Sequence, residues 1–307
     1  MSFTAKNGMW PVMLTPFTKE GTIDYPALEA LIAWYEEKGA DGLFAVCQSS
    51  EMFYLSLRER VELASFVKKT ARVPVIASGH ISCSAEDQIE ELRQMAATGV
   101  DALIFITNRF ASPSQGPEVW LENLKRVMDA LPPELPLGLY ECPYPYKRIV
   151  TDEELEFCAG TGRFYFLKDT CCDIERIRRR IRLTEGTPLK LFNANTATLL
   201  ESLEAGGAGF SGVMASFHGD LYAWLLRNWK QYPEEARRLQ AALTVCSRIE
   251  GQLYPVNAKY SLQLDGVPME RTCRVRDAAD LCPLYRDEVE QLRLLSDWLR
   301  QTLPGRS

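Results

Sequence analysis

The chain has 307 residues, of which 46% are hydrophobic and 25% charged, and its formal net charge at pH 7 is -6. This composition excludes a disordered, collagen-like or coiled-coil protein and is typical of a globular chain with a full core. The acidic balance argues against nucleic acid or an anionic membrane as the main partner. The basic run Arg178–Arg180 is interpreted as a solvated helix face.

The sequence also indicates where the protein works. It contains no run of about eighteen apolar residues, which a membrane span requires, and residues 1–8 lack the apolar segment of a signal peptide. The nine cysteines include no CxxC pair and are interpreted as reduced, small apolar residues. These features predict a cytoplasmic protein without membrane association.

Short apolar runs alternate with segments of helical periodicity over the first two thirds of the chain. Eight runs predict strands, over 9–14, 42–46, 73–78, 102–107, 135–141, 164–168, 190–193 and 210–214. The runs are continuous rather than alternating, which is typical of parallel strands buried on both faces.

The segments between these runs carry apolar residues at helical spacing. They predict helices over 25–38, 56–69, 85–97, 117–130, 152–159, 174–183 and 196–205. Four of them begin at or directly after residues that cap helix N-termini, namely Asp24, Ser56, Ser84 and Thr151. After His218 only helical periodicity remains, near 220–228, 233–249, 257–264 and 286–301.

Eight strand–helix units predict an α/β fold, a (β/α)8 TIM barrel with a C-terminal helical appendage. A doubly wound sheet is the alternative, although no GxGxxG follows the first strand. We assign the barrel to residues 1–231 and a helical extension, packed on the barrel as one structural unit, to residues 232–307.

Lys168 is the main candidate for chemistry. In TIM barrels the reacting groups lie at the C-terminal ends of strands, and Lys168 ends the apolar run 164–168. Loss of hydration lowers the pKa of an ammonium, and a neutral amine attacks carbonyl carbon to form a Schiff base. A salt bridge to Asp169 is the alternative, although adjacent strand residues point to opposite faces. Lys190 opens its strand and is expected at the opposite end of the barrel.

Two other strand ends carry polar candidates. Tyr140 could relay protons, or could be a packed aromatic residue with a satisfied hydroxyl. Ser49 and Ser50 offer hydroxyls and adjacent backbone N–H groups that could hold a carboxylate.

Metal and cofactor sites find little support in the sequence. The chain has only two histidines, His80 and His218, without HxH or HExxH spacing. No GxSxG segment supports a serine triad, and the glycines of 206–209 precede the last strand, where a turn is expected. The sequence therefore predicts neither a metal nor an organic cofactor.

Taken together, the motifs resemble the dihydrodipicolinate synthase / N-acetylneuraminate lyase family over nearly the whole chain. The matching segments are Leu14–Phe17, Gly21 with Ile23–Asp24, Glu51 with Leu55–Ser56 and Glu59–Arg60, Pro113–Gln115, Tyr140 with Pro143, Leu167–Thr170, Gly206–Gly212, and Lys259 before Gly266. The resemblance implies a class I aldolase-type lyase. It also implies a homo-oligomer, a dimer or a tetramer.

The resemblance assigns roles to individual residues. Lys168 would form an imine with pyruvate or another 2-keto acid, Tyr140 would relay protons, and Ser49 would hold the carboxylate. Further candidates for substrate binding at strand ends are Ser50, Gln48, Thr15, Phe110, Asn193, Asn195 and Ser211. For Asn193 and Asn195, capping of their own loop is the alternative.

Three departures from the family pattern concern the substrate. Gln48 replaces the hydroxyl residue that links two tyrosines in the synthases, and Phe110 replaces the second of those tyrosines. Pro145 replaces the arginine that binds the aldehyde substrate's carboxylate. The sequence therefore predicts a Schiff-base lyase for pyruvate or a 2-keto acid, sugar acids included, rather than a true dihydrodipicolinate synthase. The alternatives are a catalytically impaired 2-keto-acid binding protein and a deoxy-sugar-acid dehydratase.

Overall fold

The computed structural model describes residues 3–305. Its strands are β1 (Gly8–Met9), β2 (Leu43–Ala45), β3 (Val75–Ala77), β4 (Ala102–Ile106), β5 (Leu137–Tyr140), β6 (Phe164–Asp169), β7 (Lys190–Asn193) and β8 (Gly209–Phe210). They form one parallel sheet in the order β1-β8-β7-β6-β5-β4-β3-β2. A parallel bridge between Val12 and Phe44 joins the two edges of this sheet. The predicted (β/α)8 barrel is confirmed.

Helices follow the strands and cover the outside of the barrel. They are α1 (Tyr25–Glu37), α2 (Leu57–Thr70), α3 (Ala85–Ala96), α4 (Pro117–Asp129), α5 (Asp152–Gly160), α6 (Ile174–Leu183), α7 (Leu199–Glu204) and α8 (Ala215–Asn228). The C-terminal part adds α9 (Pro233–Cys246), α10 (Val256–Leu264) and α11 (Pro283–Thr302). None of the helices within residues 3–305 is long and apolar enough to cross a membrane.

The predicted elements are present, with shorter strands. All four predicted N-caps accept a hydrogen bond from a backbone N–H of the first helical turn. The strands at the runs 9–14 and 210–214 have only two residues each, Gly8–Met9 and Gly209–Phe210, so each run contributes a single residue to its strand. The chain leaves the sheet there to form loops at the barrel mouth. The helix predicted over 196–205 begins at Leu199, since the residues before it form a hydrogen-bonded loop.

Aromatic rings fill the barrel below the strand ends. Phe166 stacks on Phe192 with 4.1 Å between the ring centroids, and Trp10 meets both rings edge-on. Phe166 and Lys168 are two residues apart on β6, so their side chains share a face of that strand. This apolar layer forms the floor beneath Lys168.

The C-terminal part contacts the barrel through α10 and through α11 with the residues that follow it. Lys259 of α10 reaches Glu51, which follows β2, and Trp224 of α8 donates from its indole N–H to Pro304 O at 2.9 Å. His218 Nδ1 lies 3.0 Å from Ser296 Oγ of α11. The predicted boundary at residue 231 falls in the short connection between α8 and α9.

Candidate active site

A cavity of about 690 Å³ lies at the C-terminal ends of the strands. One part of its wall comes from residues at the ends of strands, Tyr140 and Lys168, or in the loops that follow strands, such as Gln48, Ser49 and Asn195. The other part comes from the C-terminal segment and includes Glu250, Tyr254 and Arg276. Of the ten site residues predicted from the sequence, the structure brings five to this cavity: Lys168, Tyr140, Ser49, Gln48 and Asn195.

Lys168 is buried, with 4% of its surface exposed. Its ammonium lies 4.4 Å from the centroid of the Tyr140 ring and 5.9 Å from that of Phe44, and no hydrogen bond or ion pair to it is found within residues 3–305. Burial lowers the pKa of Lys168, and the smaller effects of Cys47, Cys142 and Glu250 oppose this. Such an amine is available as a nucleophile.

Asp169 lies on the other face of β6. Its carboxylate pairs with Arg180 of α6, which also bonds Glu141 Oε1 at 2.6 Å. All three side chains of this cluster are buried. The structure therefore excludes the Lys168–Asp169 salt bridge that the sequence left open.

Tyr140 is the partner of Lys168 in the register between β5 and β6. It is 3% exposed, and burial raises the pKa of its phenol well above the usual value. The Cys142 thiol lies beside the Tyr140 hydroxyl and donates to Gln48 Oε1 at 3.3 Å. Burial raises the pKa of Cys142 to about 11.

The turn that carries Ser49 is fixed by its neighbours. Gln48–Ser50 forms one turn of 3-10 helix, whose first N–H groups have no partner inside the turn. Ser50 Oγ donates to Met13 O at 2.7 Å, and Thr15 Oγ1 donates to Ser50 O at 2.8 Å. Ser50 and Thr15 are thus used to hold the turn and do not line the cavity, whereas Ser49 does.

A buried ion pair holds the end of the same turn. Glu51 adopts a left-handed conformation, with φ of 59°. Its Oε1 lies 3.2 Å from Lys259 Nζ, and its Oε2 accepts from the N–H groups of Arg274 and Val275 at 2.6 and 3.0 Å. Lys259 also donates to Thr272 O at 2.6 Å. The pair ties the Ser49 turn to the C-terminal segment.

Two predicted binding residues are taken up by other contacts. Phe110 is buried against Trp120 and Phe105, with ring centroids 5.5 and 5.6 Å away, and does not reach the cavity. Asn193 donates to Thr198 Oγ1 at 2.9 Å and accepts from the N–H of Asn195 at 2.8 Å. Asn193 therefore caps its own loop, as the alternative for it proposed, whereas the other candidate of this loop, Asn195, lines the cavity.

Ser211 also lies outside the cavity lining. It is buried, and its hydroxyl has no hydrogen-bond partner within the described residues. The next residues of the same loop, Gly212 and Val213, form the cavity wall.

Sequence reasoning missed Glu250, Tyr254 and Arg276, because it considered only strand ends. Burial raises the pKa of Glu250, and the charges of Lys168 and Arg248 lower it by less. No group of three His, Cys, Asp or Glu side chains that could hold a metal ion occurs within residues 3–305.

The model of the dihydrodipicolinate synthetase family matches residues 5–292. The chain belongs to this family. The predicted resemblance is confirmed, and so is the enzyme class, a carbon–carbon lyase of the class I aldolase type.

Curated relatives in this family match most of the chain. The 4-hydroxy-tetrahydrodipicolinate synthase of Oceanobacillus iheyensis is 28% identical over 294 residues, covering 93% of this chain and 95% of the relative. The enzyme of the same name from Bacillus subtilis is 27% identical over 281 residues, with coverages of 90% and 93%.

Solved structures of family members share the fold. A monomeric dihydrodipicolinate synthase variant superposes with a TM-score of 0.85 at 20% identity, covering 97% of this chain and 98% of the other. YagE, a family member from E. coli K12 solved in complex with pyruvate, superposes with a TM-score of 0.82 at 23% identity, with coverages of 96% and 98%.

Proposed function

We propose that the protein is a Schiff-base-forming lyase that acts on pyruvate or another 2-keto acid through Lys168. The observation that carries the proposal is a buried lysine with no acidic partner among the described residues, set in the wall of a cavity at the barrel mouth. Members of the same family are named synthases, and one was solved with pyruvate.

The reaction uses a protonated imine, formed by the Lys168 amine, as the electron sink. Neutral Lys168 Nζ adds to the keto carbon, and the carbinolamine loses water to give a protonated imine. When the bond between C3 and C4 of a 4-hydroxy-2-keto acid breaks, its electron pair moves into the imine and leaves an enamine. The C4 hydroxyl loses its proton and becomes the carbonyl of the released aldehyde. Protonation of the enamine at C3 and hydrolysis by water release pyruvate and restore the amine.

Two residues close to Lys168 are suited to these reaction steps. Tyr140 is placed by strand register next to Lys168, where its phenol can exchange a proton with the substrate's C4 oxygen. Ser49 can bind the substrate carboxylate, because it lies on a turn whose first backbone N–H groups have no hydrogen-bond partner inside the turn.

We infer that the second substrate differs from that of the synthases. Gln48 bonds to Cys142, where the synthase pattern requires a hydroxyl linked to two tyrosines. Phe110, which has no hydroxyl, is packed away from the cavity. The same departures favour one competing function, a 2-keto-acid binding protein that forms the imine without turnover. A dehydratase of a deoxy sugar acid would release no pyruvate.

Pyruvate release from a panel of 4-hydroxy-2-keto acids, including deoxy sugar acids, tests the proposal. The wild type should release pyruvate from at least one of them, whereas K168R should not, because an arginine stays charged. K190R is the matched control, since Lys190 bonds Ala5 O and Asn7 at the opposite end of the barrel. Imine formation without any turnover would favour the binding protein, and loss of water without pyruvate would favour the dehydratase.

We also propose that the protein is a cytoplasmic homo-oligomer, a dimer or a tetramer. Support comes from α11, where Leu294 and Trp298 are 69% and 58% exposed, which is unusual for large apolar side chains on one helix. Sedimentation at micromolar concentration should show the oligomer, and a monomer alone would contradict it.

A further inference from the structure

Tyr254 brings an unsatisfied hydroxyl to the cavity. The residue precedes α10, in the C-terminal segment, and its half-buried ring lines the cavity. Its hydroxyl oxygen is buried and has no hydrogen-bond partner within residues 3–305. Buried hydroxyls are nearly always hydrogen-bonded in folded proteins, so this one is set up to bind something that the chain itself does not supply.

The surroundings of this hydroxyl show where the missing partner would lie. The Ser49 hydroxyl is close by, without the geometry of a hydrogen bond. The Cys47 thiol and the Glu250 carboxyl are close enough to both Tyr254 and Lys168 to affect the pKa of each. Tyr254 therefore lies at the same end of the cavity as Lys168, on the side of the Ser49 turn.

The Tyr254 hydroxyl is suited to donate a hydrogen bond. Burial raises the pKa of Tyr254 well above the usual value, and the Ser49 hydroxyl offsets this only in part. The phenol therefore keeps its proton throughout the physiological range. A neutral phenol, a serine hydroxyl and the free N–H groups of a 3-10 turn together form a set of donors that suits a carboxylate.

We propose that Tyr254 binds the substrate directly, by donating a hydrogen bond to the carboxylate of the 2-keto acid beside Ser49. This inference rests on the proposed function, because the carboxylate is next to the keto carbon that Lys168 attacks. It assigns part of the substrate site to the C-terminal segment, which the Glu51–Lys259 ion pair ties to the Ser49 turn.

Borohydride trapping at increasing concentrations of pyruvate tests the inference. Y254F keeps the ring and removes only the hydroxyl, and should need about ten- to hundredfold more pyruvate for half-maximal adduct, as expected for one lost hydrogen bond to a charged group. With methyl pyruvate, whose ester carries no charge, Y254F and the wild type should differ much less. The matched control is Y260F, since the Tyr260 hydroxyl bonds Glu290 outside the cavity.

The outcomes separate this inference from the proposed function. If the wild type forms no adduct with pyruvate, the proposed function fails. Two results with an active wild type would show that the carboxylate role of Tyr254 is wrong while the proposed function stands. In the first, Y254F needs no more pyruvate than the wild type for half-maximal adduct. In the second, Y254F needs more of both pyruvate and methyl pyruvate, by the same factor. Y254F without ligand should unfold at no lower temperature than the wild type, because the hydroxyl has no protein partner; a destabilised variant would overturn the inference.

Discussion

Asp169 pairs with Arg180 of α6, on the face of β6 opposite to its neighbour Lys168. The arginine also binds Glu141, so that one buried cation holds two buried carboxylates. Lys168 is left with aromatic rings around its amine and with no acidic partner among the described residues. One strand thus separates a structural ion cluster from a candidate nucleophile.

Removing the buried arginine should be costly. Arg180→Ala should lower the free energy of unfolding by about 3–5 kcal/mol, because it leaves Asp169 and Glu141 buried without their cation. Urea unfolding measures the loss. Arg179→Ala is the matched control on the same helix, since Arg179 is exposed and pairs with Asp152, and should change stability by at most about 1 kcal/mol. Equal effects in the two variants would contradict the cluster's structural role.

Imine formation should depend on pH in a defined direction. The attacking amine must be neutral, and burial lowers the pKa of Lys168 from 10.5. The rate of trapping with pyruvate should therefore rise with pH and level off below 10.5. Glu250→Gln should move this rise to lower pH, because Glu250 stabilises the charged amine. A rise that stays at the usual lysine value, or a shift to higher pH in E250Q, would be inconsistent with this environment.

The burial that lowers the pKa of Lys168 should also make this residue lower the free energy of unfolding. Because its pKa is lower in the folded state, protonation of Lys168 favours unfolding: the destabilisation is complete below the folded-state pKa and disappears as the pH rises through the window up to 10.5. Lys168→Met should therefore raise the free energy of unfolding at pH 7, and the gain should shrink as the pH approaches 10.5. Chemical unfolding at several pH values measures this. A less stable K168M at pH 7 would show that interactions of the ammonium, such as that with Glu250, outweigh the cost of its burial.

Tyr140 should matter for turnover more than for imine formation. Tyr140→Phe removes the phenol next to Lys168 and should lower kcat by about 10²- to 10⁴-fold, the usual contribution of a general acid–base group. The adduct with pyruvate should still form, since the amine is unchanged. Mass spectrometry of the trapped protein and pyruvate release measure the two effects separately. Full turnover in Y140F would exclude the phenol as the proton relay.

The sequence predicted the parts of the molecule that depend on local pattern. Continuous apolar runs located all eight strands, and the end of the sixth run located Lys168 at the barrel mouth. Strand ends alone did not decide which polar groups reach the cavity, because Ser50 and Asn193 bond to nearby backbone or loop groups. Tyr254 could not be predicted, since no periodicity indicates that the segment before α10 covers the barrel mouth.

The proposed function requires that the Lys168 amine attacks a keto carbon. Borohydride reduction of the protein with pyruvate, followed by peptide mass mapping, measures this attack. We expect one reduced pyruvate adduct per chain, on the peptide that contains Lys168, and none in K168R. An adduct on another lysine, or no adduct at any pH up to 10.5, would contradict it.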